Sequence, residues 1–313
     1  MTPLPHRLLT LQDLDDLGPV VGSLRRAVRE GVLVRVVPGV YAPGPWWHSL
    51  GRPGQARQRH VAARLTALVP PVFCRESAAT VLGLRVLVPP VVPHVVQTPG
   101  QGSRNNRHVV HHWAELPPGD VVEVDGLLAT SPARTALDCA RFLPTAGALT
   151  VVDHALALGV DREGLVGRCR ALAGQRGVRR ARFVLSVADP RAESAGETLT
   201  RLVILRAGLP LPELQHEIRT VRGTFRPDFA WPAARVLLEF DGAVKYSGRY
   251  GAAPEVVVAE RQREKELTNL GWRVLRTDWA TVTRRPEALV GLLRRELSGR
   301  HPLWDASDPV RVG

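Results

Sequence analysis

The sequence has little cysteine, no long apolar run and no histidine or cysteine spacing of the kind that binds metal. Its three cysteines, Cys74, Cys139 and Cys169, lie far apart, match no zinc or redox pattern, and are expected to be buried thiols in a reducing compartment. No segment approaches the ~18 uninterrupted apolar residues of a membrane span. The N-terminal MTPLPHRLLTLQDLDD meets acids too early to be a secretory signal, so a soluble, cytoplasmic chain with no membrane partner is expected. His94, His108, His111, His112 and His154 lack ligand spacing with a third partner. His111 and His112, adjacent on an expected strand, point to opposite faces, which excludes them as a ligand pair. Ser131 has no neighbouring base in sequence and reads as a helix cap rather than a nucleophile.

What is abundant is positive charge. Among 313 residues, 42 Lys and Arg stand against 30 Asp and Glu, a formal charge of +12 carried mostly by arginine. The fork-shaped guanidinium suits phosphate, so the balance favours a polyanionic partner, nucleic acid above all. An arginine-rich composition inherited from a GC-rich genome gives the same count.

The length allows two or three domains at about 100–200 residues each. In residues 1–54, Leu9, Leu11, Leu14 and Leu17 space a short helix with Thr10 and Asp13 at capping-box separation. A second helix beginning near Pro19 buries Leu24, Ala27 and Val28, turns Arg25, Arg26 and Arg29 outward, and stops at Gly31. Val32–Val36, the Pro38-Gly39 turn and Val40–Ala42 then form a two-stranded wing. Together these predict a winged helix-turn-helix with Arg25, Arg26 and Arg29 as DNA contacts; an ordinary solvated arginine face is the alternative. Residues 43–54, rich in Gly and Pro, read as a connector anchored by Trp46 and Trp47.

Residues 55–190 read as a middle α+β domain. Helices are expected over Arg57–Leu68 and Glu76–Leu82, then strands over Val91–Thr98 and His108–Trp113 separated by the polar GQGSRNNR. A hairpin turns at Asp125-Gly126, and helices follow from Ser131-Pro132 to Val187. Residues 191–300 run helix, three strands, helix, strand, helix, an order that makes a mixed sheet flanked by helices. Residues 301–313 are a tail.

Within that last domain, RPDFAWPAARVLLEFDGAVKY (residues 226–246) gathers acids. On a strand from Arg235 to Asp241, Glu239 and Asp241 share one face while Val236, Leu238 and Phe240 share the other. Asp228 reaches the same place across the hairpin. Converging carboxylates repel, and a hard divalent cation, Mg²⁺ or Mn²⁺, would relieve them; Lys245 follows as a partner for phosphate or water. Alternatively Glu239 and Asp241 only pair with Arg261 or Lys265 as surface ion pairs.

The tail third, with a helix glutamate, Pro227-Asp228, Glu239-x-Asp241, a basic helix and the strand GWRVLRTDW, resembles the PD-(D/E)xK nuclease fold, closest to proteins akin to very-short-patch repair endonucleases. LRRAVREGVLVRVVPGVYAPG is similar to the winged helix of the AbiEi antitoxins, and RESAATVLGL and ATSPARTALDCAR resemble the central part of the same proteins. The nuclease resemblance implies that Asp228 and Glu239 hold the metal, with Glu197 adding a third carboxylate, so that the ion polarises the scissile phosphate and activates water. That family usually has lysine two residues beyond the strand glutamate, where this chain has Asp241. Lys245 or Lys265 takes its place, or Asp241 is a further ligand, or the site is dead.

Two functions follow. One is a metal-dependent DNA endonuclease with a DNA-binding head, in which Asp228, Glu239, Asp241, Lys245 and Glu197 are catalytic and Arg25, Arg26, Arg29, Arg261 and Lys265 hold DNA. The other is a non-catalytic, antitoxin-like DNA-binding regulator whose tail is a binding or dimerising module, with a cognate toxin or defence-system partner and a homodimer as further expectations.

Overall fold

In a computed structural model, the structure describes residues 4–17, 23–97, 107–242 and 254–298. Pro19, the stretch 98–106, Lys245 and the tail 301–313 lie outside the described residues. The chain divides into two compact units, Met1–Ala188 and Asp189–Gly313.

The first unit opens with β1 (Leu9–Thr10) and α1 (Leu11–Leu17). Thr10 and Asp13 form the expected capping pair: Asp13 Oδ2 accepts from the Thr10 amide at 2.8 Å, and Thr10 Oγ1 accepts from the Asp13 amide at 3.2 Å. Arg7, 2.6 Å away, and the Thr10 hydroxyl and amide, which both donate to Oδ2, hold the Asp13 carboxyl well below the usual carboxylate range. Helix α2 (Leu24–Arg29) buries Ala27 and leaves Arg25, Arg26 and Arg29 exposed. β2 (Leu33–Val37) and β3 (Val40–Pro43) make a hairpin, and β1 adds to β3, giving the order β1-β3-β2.

Residues 44–49, expected to be connector, are helix α3 (Gly44–Ser49). Proline is harmless in a first turn, where its missing N–H has no partner to lose. Gly44 donates its amide to Val32 O at 2.9 Å, and a Cβ there would lie 1.9 Å from Gly31 O. The Gly-Pro composition thus marks close backbone packing beneath a buried Trp47. Helix α4 (Gly51–Thr66) follows; its Ala62 packs with Leu8, Val37, Val40 and Trp47. Through this shared core residues 1–54 and the segment after them lie in one unit.

Beyond α4 come β4 (Val72–Phe73), α5 (Arg75–Val81), β5 (His94–Gln97), β6 (Val110–Trp113), β7 (Val121–Val124) and β8 (Leu127–Thr130), forming one mixed sheet in the order β6-β5-β4-β8-β7. The Asp125-Gly126 turn joins β7 to β8 with φ of +49° and +74°, the paired left-handed conformation that a two-residue hairpin of this kind requires. β4, two residues long and central in the sheet, follows directly on Pro70-Pro71 and is too short to carry a strand signal in sequence. Ser131 caps α6 (Pro132–Phe142) by accepting from the Arg134 amide at 3.4 Å. Helices α7 (Thr145–Ala157), α8 (Arg162–Ala171, capped by Asp161) and α9 (Val178–Val187) complete the unit.

The second unit begins with α10 (Ala195–Arg206) and β9 (Glu213–Leu214). The strand expected over 211–220 is interrupted at Gln215, whose φ is +54°; β10 (Ile218–Thr220) and β11 (Gly223–Phe225) form a separate two-stranded ribbon. β12 (Phe229–Trp231) and β13 (Val236–Asp241) are the expected hairpin, turned by Pro232–Ala234 and Arg235 at φ +53°. Helix α11 (Pro254–Asn269) leads to β14 (Arg273–Asp278), parallel to β13. α12 (Trp279–Arg284) and α13 (Pro286–Leu297) close the chain. The four-stranded sheet, order β14-β13-β12-β9, is mixed as expected. Ala230 and Leu237 pack with Leu267 of α11, while Phe240 meets Trp279 of α12 and the start of α10, so helices cover both faces.

Candidate functional site

The acid cluster forms at the end of β13. The pairing of Phe229 with Leu238, extended one residue, sets Asp228 opposite Glu239. Asp228 Oδ2 accepts from the Phe240 amide at 2.7 Å, which ties the carboxylate to the hairpin. By strand alternation Glu239 and Asp241 lie on the α11 face, Phe240 on the α10 face. Their shared partner is Arg276 of β14: its guanidinium lies 3.6 Å from Glu239, 3.5 Å from Asp241 and 3.6 Å from Glu264. The expected pairing with Arg261 or Lys265 is thus made by a different residue. Arg276 is in parallel register with Glu239, a neighbourhood fixed by strand order rather than by sequence spacing. Burial pushes the Glu239 carboxyl upward, Arg276 and Arg263 pull it down, and Asp228 and Asp241 add to the rise.

The structure therefore brings together Asp228, Glu239 and Asp241. Glu197 lies in the first turn of α10, where it helps to hold the helix start. Its Oε2 accepts from the Glu193 amide at 2.7 Å, and Ser194 Oγ accepts from the Glu197 amide at 3.1 Å. Lys245 is outside the described residues. Arg261 and Lys265 are exposed on α11, and Arg25, Arg26 and Arg29 are exposed on α2, Arg26 being paired with Glu30 at 2.8 Å.

Whether the acids suit Mg²⁺ or Mn²⁺ turns on Arg276. Its guanidinium occupies the place between Glu239 and Asp241 that a cation would take. Among the described residues no group of three His, Cys, Asp or Glu side chains is arranged to hold a metal ion. As placed, the described side chains pair Glu239 and Asp241 with a guanidinium rather than arrange them around an ion.

A second grouping was invisible in sequence. In the first unit, β5 and β6 are parallel neighbours with Val96 opposite His112, so His94 and His112 share a face. His112 Nε2 lies 3.1 Å from His94 Nδ1, and His94 Nδ1 lies 3.6 Å from Glu76 Oε1. Burial, then Arg75, lowers His112 to about 4. Beside it a cavity of about 570 Å³ is lined by Arg75, His112, Trp113, Arg134, Arg141 and Phe142, among others. Neither ligand spacing nor strand alternation points to this pair, because parallel pairing of strands 18 residues apart leaves no local signal.

Residues 71–187, the part that carries this cavity, match the AbiEi antitoxin C-terminal domain. Two Mycobacterium tuberculosis proteins are similar over nearly the whole chain. The uncharacterized protein Rv2248 of strain ATCC 25618 / H37Rv and the uncharacterized protein MT2308 of strain CDC 1551 / Oshkosh are each 34% identical over 281 residues. That match spans 86% of this chain and 94% of the relative. The chain belongs to the family of these two mycobacterial proteins. A crystal structure of the RV2827C protein from Mycobacterium tuberculosis is similar over 68% of this chain and 83% of that one, at 17% identity and a TM-score of 0.38.

Proposed function

We propose that this protein is a non-catalytic DNA-binding regulator of the antitoxin type, acting with a toxin or defence-system partner. The observation that carries the reading is the match of residues 71–187 to the AbiEi antitoxin C-terminal domain. The N-terminal elements support it. Two short helices and a β-hairpin precede that region, with Arg25 and Arg29 exposed on α2 and Arg35 exposed on the hairpin. In a winged helix-turn-helix such guanidiniums reach phosphate and base edges. Arg276 between Glu239 and Asp241 argues for a tail that folds and binds rather than cleaves.

The test is a mobility shift with the DNA upstream of the protein's own gene. Binding that prefers this DNA over a scrambled duplex, and that Arg25→Ala with Arg29→Ala abolishes, is expected. No preference between the two duplexes would sink the reading.

A second reading, a Mg²⁺- or Mn²⁺-dependent endonuclease, keeps one observation in its favour: Asp228 opposite Glu239, with Asp241 two residues on. Its test is cleavage of plasmid and single-stranded DNA that requires the added metal and is lost in both Asp228→Asn and Glu239→Gln.

A further inference from the structure

The cavity of the first unit carries more positive charge than its acids neutralise. Four arginines, Arg75, Arg134, Arg141 and Arg168, line it with Glu115, Asp120 and Asp138. Asp120 is held by Arg134 at 3.1 Å and Arg168 at 2.7 Å, and Asp138 by Arg134 at 2.8 Å and Arg141 at 3.7 Å. Glu115 is exposed at the rim. Arg75 has no carboxylate partner among the described residues; its guanidinium rests on the Phe142 ring, 4.1 Å from the centroid. Arg141 lies 4.7 Å from the centroid of the same ring. Two cations gathered about one ring in a half-buried cavity repel each other, and an anion between them removes that cost.

Arg75 is also held at φ +52°. A left-handed backbone costs an arginine about 1–2 kcal/mol, and such strain persists where the surroundings enforce a side-chain direction. Here β4 feeds directly into α5, and the Cys74 amide is fixed to His94 O at 3.0 Å, so the corner at Arg75 aims its side chain at Phe142. His112 adds a neutral polar group. Its Nε2 lies 3.1 Å from His94 Nδ1, so one ring nitrogen is engaged within the sheet. Trp113, which also lines the cavity, is 66% exposed, a flat ring open to solvent. Ligand sites of about 300–1,000 Å³ accept molecules of nucleotide size.

We propose that this cavity binds a 5′-nucleotide phosphate, with the phosphate on Arg75 and Arg141 and the base stacked on Trp113. Base–aromatic stacking and guanidinium–phosphate pairing are the two interactions such a ligand requires. The same chemistry has two sources, a free nucleoside monophosphate and the 5′-phosphorylated end of a DNA strand. The site is independent of the acids of β13 and of the arginines of α2.

The test is titration calorimetry on the full chain with each of the four nucleoside 5′-monophosphates, the matching nucleosides, inorganic phosphate, and one oligonucleotide with and without its 5′-phosphate. The expected result is saturable binding of a monophosphate, or of the phosphorylated oligonucleotide over its 5′-hydroxyl form, with the nucleoside silent. Whichever of the two binds identifies the source. Arg75→Gln should weaken it by about tenfold or more, as loss of a charge-assisted hydrogen bond does. Arg75→Gly, which relieves the positive φ and so keeps or raises the thermal midpoint, should weaken it equally. Trp113→Ala should weaken nucleotide binding and leave inorganic phosphate unchanged. Three results overturn the proposal: no phosphate probe saturating at millimolar concentration, affinity unchanged in both Arg75 variants, or inorganic phosphate binding as tightly as any nucleotide.

Discussion

Arg276 and Glu239 face each other across adjacent parallel strands, in register, with Nη2 3.6 Å from Oε2. The pair decides the chemistry of the β13 acids, because a guanidinium there supplies the positive charge that three neighbouring carboxylates require. Removing it leaves Glu239 more than half withdrawn from water with two like charges nearby. Arg276→Ala should therefore destabilise the protein by about 1–2 kcal/mol in urea denaturation, the pair being partly exposed. Adding Glu239→Gln to that variant should recover part of the loss; a strictly additive double mutant would refute the coupling.

Glu239→Gln alone has a pH signature. Burial raises the folded carboxyl above its ordinary value of 4.5, so at intermediate pH the folded state binds more protons than the unfolded one. Stability then falls as pH rises through the window above 4.5. The glutamine variant should lose that fall, as read from denaturation midpoints measured between pH 4 and 7.

His60 imposes the opposite slope. It is fully buried, edge-on to Phe73 at 4.9 Å between centroids, and burial lowers it to about 4 from 6.5. Below 6.5 the unfolded chain takes up a proton that the folded one refuses, so stability drops as pH falls from about 6.5 to about 4. The drop is on the order of 3 kcal/mol for one such group. His60→Leu should flatten that limb of the pH profile.

Gly196 at the start of α10 meets the ring of Phe240 so closely that a Cβ would lie 2.0 Å from Cε1. Gly196→Ala should cost about 1–3 kcal/mol by overpacking, and Phe240→Leu in the same chain should restore part of it. An unchanged melting temperature for Gly196→Ala alone would contradict the packing of α10 on β13.

On α2 the three arginines should not behave alike. Arg25 and Arg29 are exposed, while Arg26 already holds Glu30 at 2.8 Å. Arg25→Ala and Arg29→Ala should each reduce the salt dependence of DNA binding by about one counterion, with a smaller change for Arg26→Ala. Equal slopes in all three variants would count against α2 as the DNA-facing element.

The features legible in sequence were those that one short segment decides. Thr10 with Asp13, Ser131 before Pro132 and the Asp125-Gly126 turn each satisfy backbone groups within four residues, so the local code is complete. Alternation likewise put Glu239 and Asp241 on one face of a strand. The Gly-Pro composition of the short α3 carries a loop signal, whereas Gly44 is demanded by backbone contact with Gly31 and Val32.

What the sequence determined by itself was therefore most of the longer elements, several of their caps and turns, and the side of β13 on which its acids stand. Only the tertiary structure decided which side chains meet. Parallel strand pairing brought Arg276 to Glu239 and His94 to His112, and the left-handed corner at Arg75 turned a guanidinium onto Phe142. Such contacts join residues tens of positions apart, and no local periodicity records them, because they depend on strand order and on the backbone path between strands.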